Sequence, residues 1–346
     1  MSAAAPHSTA PSSAQITRPR LGFVGVGWIG TNRLAAVARA GVAEIAAIVD
    51  PEEEMLIKAA AHAPKAVRLS SFPDLLRMEL DGVVIATPSA LHAEQSIRAL
   101  QHGFAVFCQK PLGRHAAEVR FAVDAARTAK RLLGVDLSYR HTTALQKIRD
   151  LVVLGELGEI FSVDLKFHNA YGPQKAWFYD SRLAGGGCVV DLGIHLVDAA
   201  LWILDQPIVA VSSRLFHRGE RIREHVDVCE DYGTARLDLA NGGTIDLNCS
   251  WHLNAGRDAV IEAAFYGTRG GAAMRNINGS FYDFTAERFN HTARSILTEP
   301  PDEWSGRAAV AWAQNLAKSN SFDPAIERLI EVHRVLDAIY ENANNS

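Results

Sequence analysis

The segment LGFVGVGWIG at residues 21–30 decides the fold of the first part of the chain. Its first four residues predict a short buried strand, which runs directly into three glycines and then into a helix expected at 31–40. Gly25 allows a tight turn, Gly27 lets the backbone approach a diphosphate, and Gly30 lets the helix pack on the strand. Because the helix N-terminus also offers free amides to anionic oxygens, the segment predicts a dinucleotide site.

A second apolar strand, at 44–49, ends at Asp50, twenty positions after Gly30. A carboxylate there can accept hydrogen bonds from the two ribose hydroxyls of an adenosine. Residues 51–54 are Pro-Glu-Glu-Glu, so a phosphate on that ribose would be repelled. The pattern favours NAD over NADP as the cofactor. NADP stays possible. The alternative role for Asp50 is to cap a helix that begins at Pro51.

Strands and helices continue to alternate after this point. The sequence predicts further strands at 82–86, 104–108 and 132–137, separated by helices at 90–103 and 116–130. This alternation implies right-handed crossovers and a parallel sheet, in which ligands bind at the carboxyl ends of the strands. Four residues stand at such ends and are expected to converge on one site: Gly25, Asp50, Thr87 and Lys110.

Lys110 is the most unusual of these residues. It closely follows a buried strand, where a charge is costly to place, and Pro111 after it fixes the backbone and removes an amide donor. We therefore expect Lys110 to act beside the cofactor. His92 follows Thr87 by five positions, and two interpretations of it stay open: a structural histidine at the start of a helix, or a site residue.

The alternation stops after residue 139, and a different pattern begins. A helix at 143–154 leads to strands at 160–168, 208–216, 231–239, 244–251 and 259–266, and a helical segment at 324–342 ends the chain. The tripeptide Asn-Gly-Gly at 241–243 predicts a hairpin turn, because it tolerates positive φ. Such strands predict an open antiparallel or mixed sheet, with one face covered and the other solvated or bound to a second subunit.

Asp191 and His195 lie four positions apart, at the start of an apolar stretch, and on an α-helix they would share a face. A carboxylate beside an imidazole raises its basicity and orients its ring, which suits proton transfer near neutral pH. Two alternatives stay open at this point. The pair could be a satisfied polar pair in a core helix, or Asp191, His195 and Asp198 could bind a metal.

Composition excludes several classes of function. The formal net charge of −4 argues against nucleic acid as the main partner. Four cysteines stand far apart, with neither zinc-site nor disulfide-framework spacing, which indicates a reducing cytoplasmic compartment. We expect no apolar run long enough to cross a bilayer and therefore no membrane partner. Residues 1–20 are rich in Ser, Ala, Pro and Thr, which favours a disordered tail over a targeting signal.

Four motifs carry a resemblance to a known family. They are GVGWIG at 25–30, ATPSALH at 86–92, QKP at 109–111 and DLGIHLVD at 191–198. In order and spacing they resemble the Gfo/Idh/MocA oxidoreductases, from about residue 21 to residue 204.

The resemblance implies a Rossmann dinucleotide-binding domain at 21–138. It also implies an α/β domain at 139–346 for substrate binding and oligomerisation, with a large open, mainly antiparallel sheet. The implied activity is an NAD(P)-dependent oxidation or reduction of a sugar, a cyclitol or a related polyol, without a metal. A homodimer or homotetramer is expected, because an open sheet offers a face to pair.

The resemblance also assigns residues. Lys110, Asp191 and His195 correspond to the catalytic trio, in which His195 carries the proton and Lys110 stabilises the reacting oxygen, although those two roles are open to exchange. The cofactor site is expected to comprise Gly25, Gly27, Trp28, Ile29, Gly30, Asp50, Thr87, Pro88, His92, Gln109 and Lys110. Substrate contacts are expected from two pairs of residues, unless these are ordinary interface packing: Tyr139 with Arg140, and Trp177 with Arg182.

One residue departs from the family pattern. Gln109 stands where the family usually has a glutamate before Lys-Pro. The amide keeps the size of the side chain but removes a charge beside Lys110. Two other functions remain compatible with the sequence: a non-catalytic dinucleotide sensor, because fold does not imply function, and an NAD-assisted glycosidase.

Overall fold

The computed structural model describes residues 18–223 and 228–343. Its α-helices are α1 (Trp28–Ala40), α2 (Glu53–Ala60), α3 (Phe72–Leu75), α4 (Ser89–Gln101), α5 (Ala116–Ala129), α6 (Thr143–Val153), α7 (Ser181–Ala184), α8 (Ile194–Leu204), α9 (Arg307–Lys318) and α10 (Arg328–Asn342). Its 3₁₀-helices are Ser138–His141, Ala176–Tyr179 and Pro324–Glu327, and a π-helix spans Val189–Gly193.

The strands form two sheets. Those of the first are β1 (Arg20–Val24), β2 (Glu44–Val49), β3 (Val67–Leu69), β4 (Gly82–Ile85), β5 (Ala105–Cys108) and β6 (Leu133–Val135). Those of the second are β7 (Ile160–Asn169), β8 (Ile208–His217), β9 (Glu220–Arg221), β10 (Tyr232–Leu239), β11 (Thr244–Ser250), β12 (Ala259–Gly267), β13 (Gly270–Asn276), β14 (Phe284–Asn290) and β15 (Ala293–Thr298). Residues 1–17 of the predicted tail lie outside the described residues, and Arg20 already belongs to β1.

The first sheet is parallel, with the strand order β3-β2-β1-β4-β5-β6. This is the order of a doubly wound dinucleotide-binding sheet, so the predicted parallel sheet is confirmed. Strand β3 was not predicted, because its three residues include an arginine and carry no apolar run. The order puts the carboxyl ends of β1 and β4 side by side, where the chain reverses direction across the sheet.

Helices cover both faces of this parallel sheet. On one face α1 and α2 pack in a common core with α9, and α4 and α5 cover the other face. Helix α9 comes from the part of the chain that was predicted to be a second unit at 139–346. Its Trp312 ring lies 5.6 Å from the Phe107 ring, centroid to centroid. The end of the chain therefore returns to complete the first sheet.

The second sheet is mixed and has nine strands in the order β15-β14-β13-β12-β7-β11-β10-β8-β9. Among the strands of residues 18–223 and 228–343, only β7 and β11 pair in parallel and the other pairs are antiparallel, which confirms the predicted open, mainly antiparallel sheet. The predicted hairpin joins β10 to β11, with Gly242 at φ +85°. Strands β13 to β15 were missed, because GGAAMRN and ARSILT show no clear alternation. Helices α6, α8 and α10 cover one face.

The stretch Ser181–Leu204, which runs from α7 to the end of α8, is long and apolar enough to cross a membrane by length and composition. The expectation that no such run exists was therefore wrong. The reason is that Asp191 and Asp198 are the only charged residues in 188–204, so the apolar side chains around them keep the mean hydropathy of the stretch high. Its most apolar window is 83% buried, and α8 packs against α6, α10 and β7, as expected for a core helix.

Candidate active site

A cavity of about 460 Å³ lies between the carboxyl ends of β1, β4 and β5 and the segment 173–191. Ten of the predicted site residues line it: Gly27, Trp28, Ile29, Thr87, Pro88, His92, Gln109, Lys110, Trp177 and Asp191. The other predicted residues are not in its wall: Gly25, Gly30, Asp50, Tyr139, Arg140, Arg182 and His195. Of the four strand-end residues, Thr87 and Lys110 line this cavity, and the segment 173–191 from the second half of the chain closes it.

The turn at residues 25–30 can be built only with glycine at its two ends. Gly25 has φ +78°, and a Cβ there would lie 2.6 Å from the Ala86 carbonyl oxygen. A Cβ on Gly30 would lie 1.9 Å from the Gly25 oxygen, so α1 packs directly on the turn. A Cβ on Gly27 would instead have Lys175 Nζ at 3.5 Å as its nearest contact, with no clash, and no side chain caps α1 behind it. This cradle fits a diphosphate, because it leaves room and free amides at one point.

Asp50, at the end of β2, holds this turn through hydrogen bonds. Its Oδ2 accepts the Val26 amide at 2.9 Å and its Oδ1 accepts the Glu52 amide at 3.0 Å. The capping alternative is wrong, because α2 begins at Glu53, its N-cap residue is Glu52, and no side chain caps it. Each carboxylate oxygen keeps acceptor capacity for a ribose hydroxyl.

His92 is buried in the cavity wall and bridges two loops. Its Nδ1 lies 2.7 Å from the Pro111 carbonyl oxygen, and its Nε2 lies 2.6 Å from the Thr87 carbonyl oxygen. Burial lowers the pKa of His92. The side chain therefore ties the turn after β4 to the loop that carries Lys110, which fits the structural interpretation, while its role as a site residue stays a prediction.

Lys110 and Asp191 form an ion pair in the cavity wall and join the two halves of the chain. Lys110 Nζ lies 2.7 Å from Asp191 Oδ1 and 2.6 Å from the Asp191 carbonyl oxygen. Trp251 Nε1 donates to Asp191 Oδ2 at 3.1 Å. The Lys110 and Asp191 side chains keep 16% and 17% exposure, so a fixed pair still reaches the cavity.

Gln109 is held at both ends of its amide. Its Oε1 accepts the Lys110 amide at 2.9 Å, and its Nε2 donates to Asp136 Oδ2 at 3.0 Å. Asp136 is fully buried and also accepts from Arg33 Nε. The residue in the lysine loop therefore connects Lys110 to a buried ion pair at the end of β6.

His195 is buried, and the pair predicted for it with Asp191 is not formed. Both Asp191 oxygens are engaged by Lys110 and Trp251, and His195 Nδ1 has no hydrogen-bond partner in 18–223 or 228–343. Burial lowers the pKa of His195 well below 6.5, and the positive charges of Lys110 and Arg33 lower it further. The predicted rise in basicity is therefore wrong in sign.

The π-helix Val189–Gly193 explains this difference. The prediction assumed α-helical spacing, in which residues four apart share a face. A π-turn holds more residues per turn than an α-helix, so α-helical spacing does not apply: Asp191 lines the cavity, while His195 packs with its ring 4.8 Å from the Tyr139 ring. The residue types drew attention to this segment, but the sequence did not predict the relative orientation of the Asp191 and His195 side chains.

The first pair of predicted substrate residues is committed to packing. Tyr139 is buried among aromatic rings, and burial raises its pKa. Arg140 Nε lies 2.7 Å from Asp198 Oδ2, and its guanidinium lies 5.8 Å from the centre of the Trp202 ring. The alternative of interface packing fits both residues.

The two residues of the second predicted pair, Trp177 and Arg182, differ in position. Trp177 lines the cavity, stacks on Phe178 at 3.8 Å, and has a buried Nε1 without a partner among the described residues. That N–H remains available to a ligand. Arg182 is exposed and pairs with Asp180 at 2.9 Å, outside the cavity wall.

Asp191, His195 and Asp198, which the sequence left open as metal ligands, are engaged separately. Asp191 pairs with Lys110, and Asp198 is buried against Arg140. In the part of the chain that the structure describes, no group of three or more His, Cys, Asp or Glu is placed to hold a metal ion.

Sequence reasoning missed Asp136 and Trp251. Asp136 directly follows β6, but the strand was predicted at 132–137 and so enclosed it, which is why the strand-end argument passed over it. Trp251 follows β11, but its hydrogen bond to Asp191 joins residues sixty positions apart and has no local signal.

Comparison with known proteins agrees with this architecture. The oxidoreductase family model with an NAD-binding Rossmann fold matches residues 19–137, and the GFO/IDH/MocA C-terminal domain matches 145–273. D-glucoside 3-dehydrogenase of Escherichia coli (strain K12) is 29% identical over 249 residues, 67% of this chain and 69% of that protein. A putative UDP-kanosamine synthase oxidoreductase subunit of Amycolatopsis mediterranei (strain S699) is 30% identical over 262 residues, 70% of this chain and 71% of that protein.

Among solved structures, GenD2 from gentamicin A biosynthesis, in complex with NAD, has a TM-score of 0.79 and 21% identity, over 97% of each chain. At this identity the likeness supports the fold alone. The fold, the glycine turn and the two matched domains lead to one conclusion: the chain belongs to the Gfo/Idh/MocA oxidoreductases and is an NAD-binding enzyme of that family.

Proposed function

We propose that this chain is a dehydrogenase or reductase that transfers a hydride between NAD(H) and a secondary alcohol or ketone of a sugar, cyclitol or related polyol. The observation that carries the proposal is the Lys110–Asp191 ion pair in the wall of the cavity that also contains the glycine turn. A relative that is named D-glucoside 3-dehydrogenase supports a carbohydrate substrate.

The residues of the cavity fit the cofactor. Gly27 and the first turn of α1 would hold the diphosphate, and Asp50 would receive the adenosine ribose. Pro88, Gln109 and Trp28 would line the remaining path. When bound, NAD supplies the acceptor for the hydride that leaves the substrate carbon. The acidic neighbours of Asp50 would disfavour the additional phosphate of NADP.

Residues of the chain would accept the hydroxyl proton and stabilise the negative charge that develops on the reacting oxygen. Asp191 holds Lys110 in place, so the ammonium can meet the reacting oxygen and stabilise negative charge on it. His195 is the candidate for the hydroxyl proton, because its pKa is well below 6.5 and a neutral imidazole can accept a proton, although its ring lies behind the cavity wall, against Tyr139. In the reverse direction the same group returns that proton to the alkoxide.

We also propose the wider organisation of the protein. A cofactor domain at 21–138 is completed by α9, and a substrate domain begins at 139. Four free, buried cysteines are compatible with a cytoplasmic enzyme. The exposed Phe161, Val209 and Ile296 side chains on β7, β8 and β15 favour a homodimer or homotetramer that pairs through the mixed sheet.

A substrate screen tests the function. Sugars, inositols, sugar acids and aryl glycosides would be offered with NAD and NADP in parallel, and we expect sustained NADH production from at least one polyol. Lys110→Met should then lower kcat/KM about a thousandfold with NADH affinity largely kept. The matched control is Lys65→Met, at an exposed site outside the cavity.

Three outcomes would contradict this proposal. Sugar release without net NADH would indicate a glycosidase, and NADH binding without any turnover would indicate a sensor. Normal turnover in Lys110→Met would remove Lys110 from the chemistry.

A further inference from the structure

Lys175 lies in the segment between β7 and α7, across the cavity from the glycine turn. If Gly27 carried a Cβ, that atom would lie 3.5 Å from Lys175 Nζ, with no other described heavy atom beyond its immediate neighbours within 4 Å. The ammonium thus stands directly over the open face of Gly27. This is the face through which a diphosphate would approach the backbone.

The charge of Lys175 is uncompensated. Its side chain is exposed and makes no hydrogen bond or ion pair with any residue of 18–223 and 228–343. Lys110, in the same cavity wall, is by contrast neutralised by Asp191. An unpaired lysine held over a glycine turn raises the local positive potential, which favours an anion at that point.

The first turn of α1 adds to this potential. The helix begins at Trp28, its N-cap Gly27 has no side chain to satisfy the free amides, and its first turn contains no acidic residue. The thirteen-residue helix directs its positive end toward the same space. Amides from the first half of the chain and an ammonium from the second therefore face one gap.

We propose that Lys175 is a ligand of the cofactor diphosphate, contributed by the second half of the chain and closing over the glycine turn. The proposal rests on NAD binding at this cavity. An ammonium suits this task because it is a compact charge with three hydrogen-bond donors. These donors can bind oxygens of either phosphate group without requiring a fixed geometry. The same segment carries Trp177, so the diphosphate contact would also order the cavity wall where its indole N–H is free.

Chemical protection of the amine tests the contact without any turnover. The protein would be acetylated with an N-hydroxysuccinimide ester, and modification of each lysine followed by peptide mass spectrometry. We expect NADH and ADP-ribose, which both carry the diphosphate, to slow acetylation of Lys175, whereas adenosine, which has no phosphate, does not. Lys147, exposed on α6 and outside the cavity, should react equally in every sample. Equal reactivity of Lys175 with and without saturating ADP-ribose would overturn the proposal.

Binding measurements on variants give an independent test. For Lys175→Met we expect the dissociation constants of NADH and ADP-ribose to rise about tenfold, and their dependence on salt concentration to become weaker. Lys175→Arg should keep most of the affinity, and the matched control Lys147→Met should bind as the original chain does. Unchanged affinity of Lys175→Met for ADP-ribose would overturn the inference.

These results separate this inference from the proposed function. If the unmodified chain binds neither NADH nor ADP-ribose, NAD binding at the cavity fails and the inference falls with it. If it binds both, and Lys175→Met binds them equally well, only the role of Lys175 fails. If Lys175→Met weakens a phosphorylated sugar but not ADP-ribose, Lys175 serves the substrate and the inference is again wrong.

Discussion

At the scale of single residues, the departure of Gln109 from the family pattern is explained by its neighbour Asp136. Its amide N–H donates to Asp136 Oδ2, and its amide oxygen accepts from the Lys110 amide. A glutamate could satisfy the lysine amide but would place a second carboxylate against Asp136. The glutamine is therefore the electrostatic complement of a buried aspartate that is already paired with Arg33.

Gln109→Glu should remain active but lose stability and shift its pH profile upward. The added charge favours the protonated ammonium of Lys110, and its repulsion of Asp136 should cost about 1–3 kcal/mol at pH 8. One of the two carboxyls would take up a proton on folding. The folded state then binds more protons than the unfolded state, so stability recovers as the pH falls. Urea unfolding at pH 5.5 and 8, with pH–rate profiles, measures both effects.

The control for this prediction is the double variant Gln109→Glu with Asp136→Asn. It restores one amide and one carboxylate to the pair, and most of the lost stability should return. Equal stability of the single variant and the original chain at pH 8 would contradict the account of Gln109.

His333, on α10, should make the protein sensitive to acid. It is buried, and burial lowers its pKa to about 4 from an ordinary 6.5. A lowered pKa means that the folded state resists protonation, so its stabilising contribution is complete above pH 6.5 and declines as the pH falls towards 4. The contribution lost is about 3 kcal/mol. His333→Leu should flatten the dependence of unfolding free energy on pH over this window.

The matched control for His333 is His62→Leu, at an exposed position, which should keep the original pH dependence. The buried His92 and His195, whose pKa values are also lowered, leave part of the acid sensitivity in place. Identical pH slopes for His333→Leu and the original chain would show that His333 does not titrate in this window.

At the scale of elements, α9 and the π-helix decide features that no single residue indicates. Helix α9 is far from the first sheet in sequence but completes one of its two faces. Cβ atoms on Gly82 and Gly134 would lie 2.8 and 2.7 Å from the Trp312 ring, so both strands leave room for it. The π-helix Val189–Gly193 turns Asp191 towards Lys110 and away from His195.

Trp312→Ala should therefore destabilise the parallel sheet. The indole is 5% exposed, and its removal leaves a cavity over β4 to β6 that glycines cannot fill, so we expect a loss of about 3–5 kcal/mol. Urea unfolding monitored by circular dichroism measures it. Phe121→Ala, at a ring 64% exposed on α5, is the control and should change stability little. A loss below about 1 kcal/mol in Trp312→Ala would contradict this packing role.

At the scale of the whole molecule, the site lies where the two sheets meet. The parallel sheet contributes the glycine turn and Lys110, and the second half contributes Asp191, Trp177 and the helices behind them. The ion pair between Lys110 and Asp191 spans 81 positions of sequence and joins these parts. If the proposed site is correct, we expect catalysis and cofactor binding to depend on the mutual placement of both halves.

The sequence by itself determined the parallel sheet, the glycine turn and the position of Lys110, because strand alternation and glycine spacing are local and a parallel sheet brings strand ends together. It also indicated the mixed sheet and its hairpin. Only the tertiary structure decided that Asp191 pairs with Lys110, that Gln109 donates a hydrogen bond to Asp136, and that α9 packs on the first sheet. These contacts join distant segments, and their side-chain directions depend on a π-turn and on packing that no short pattern encodes.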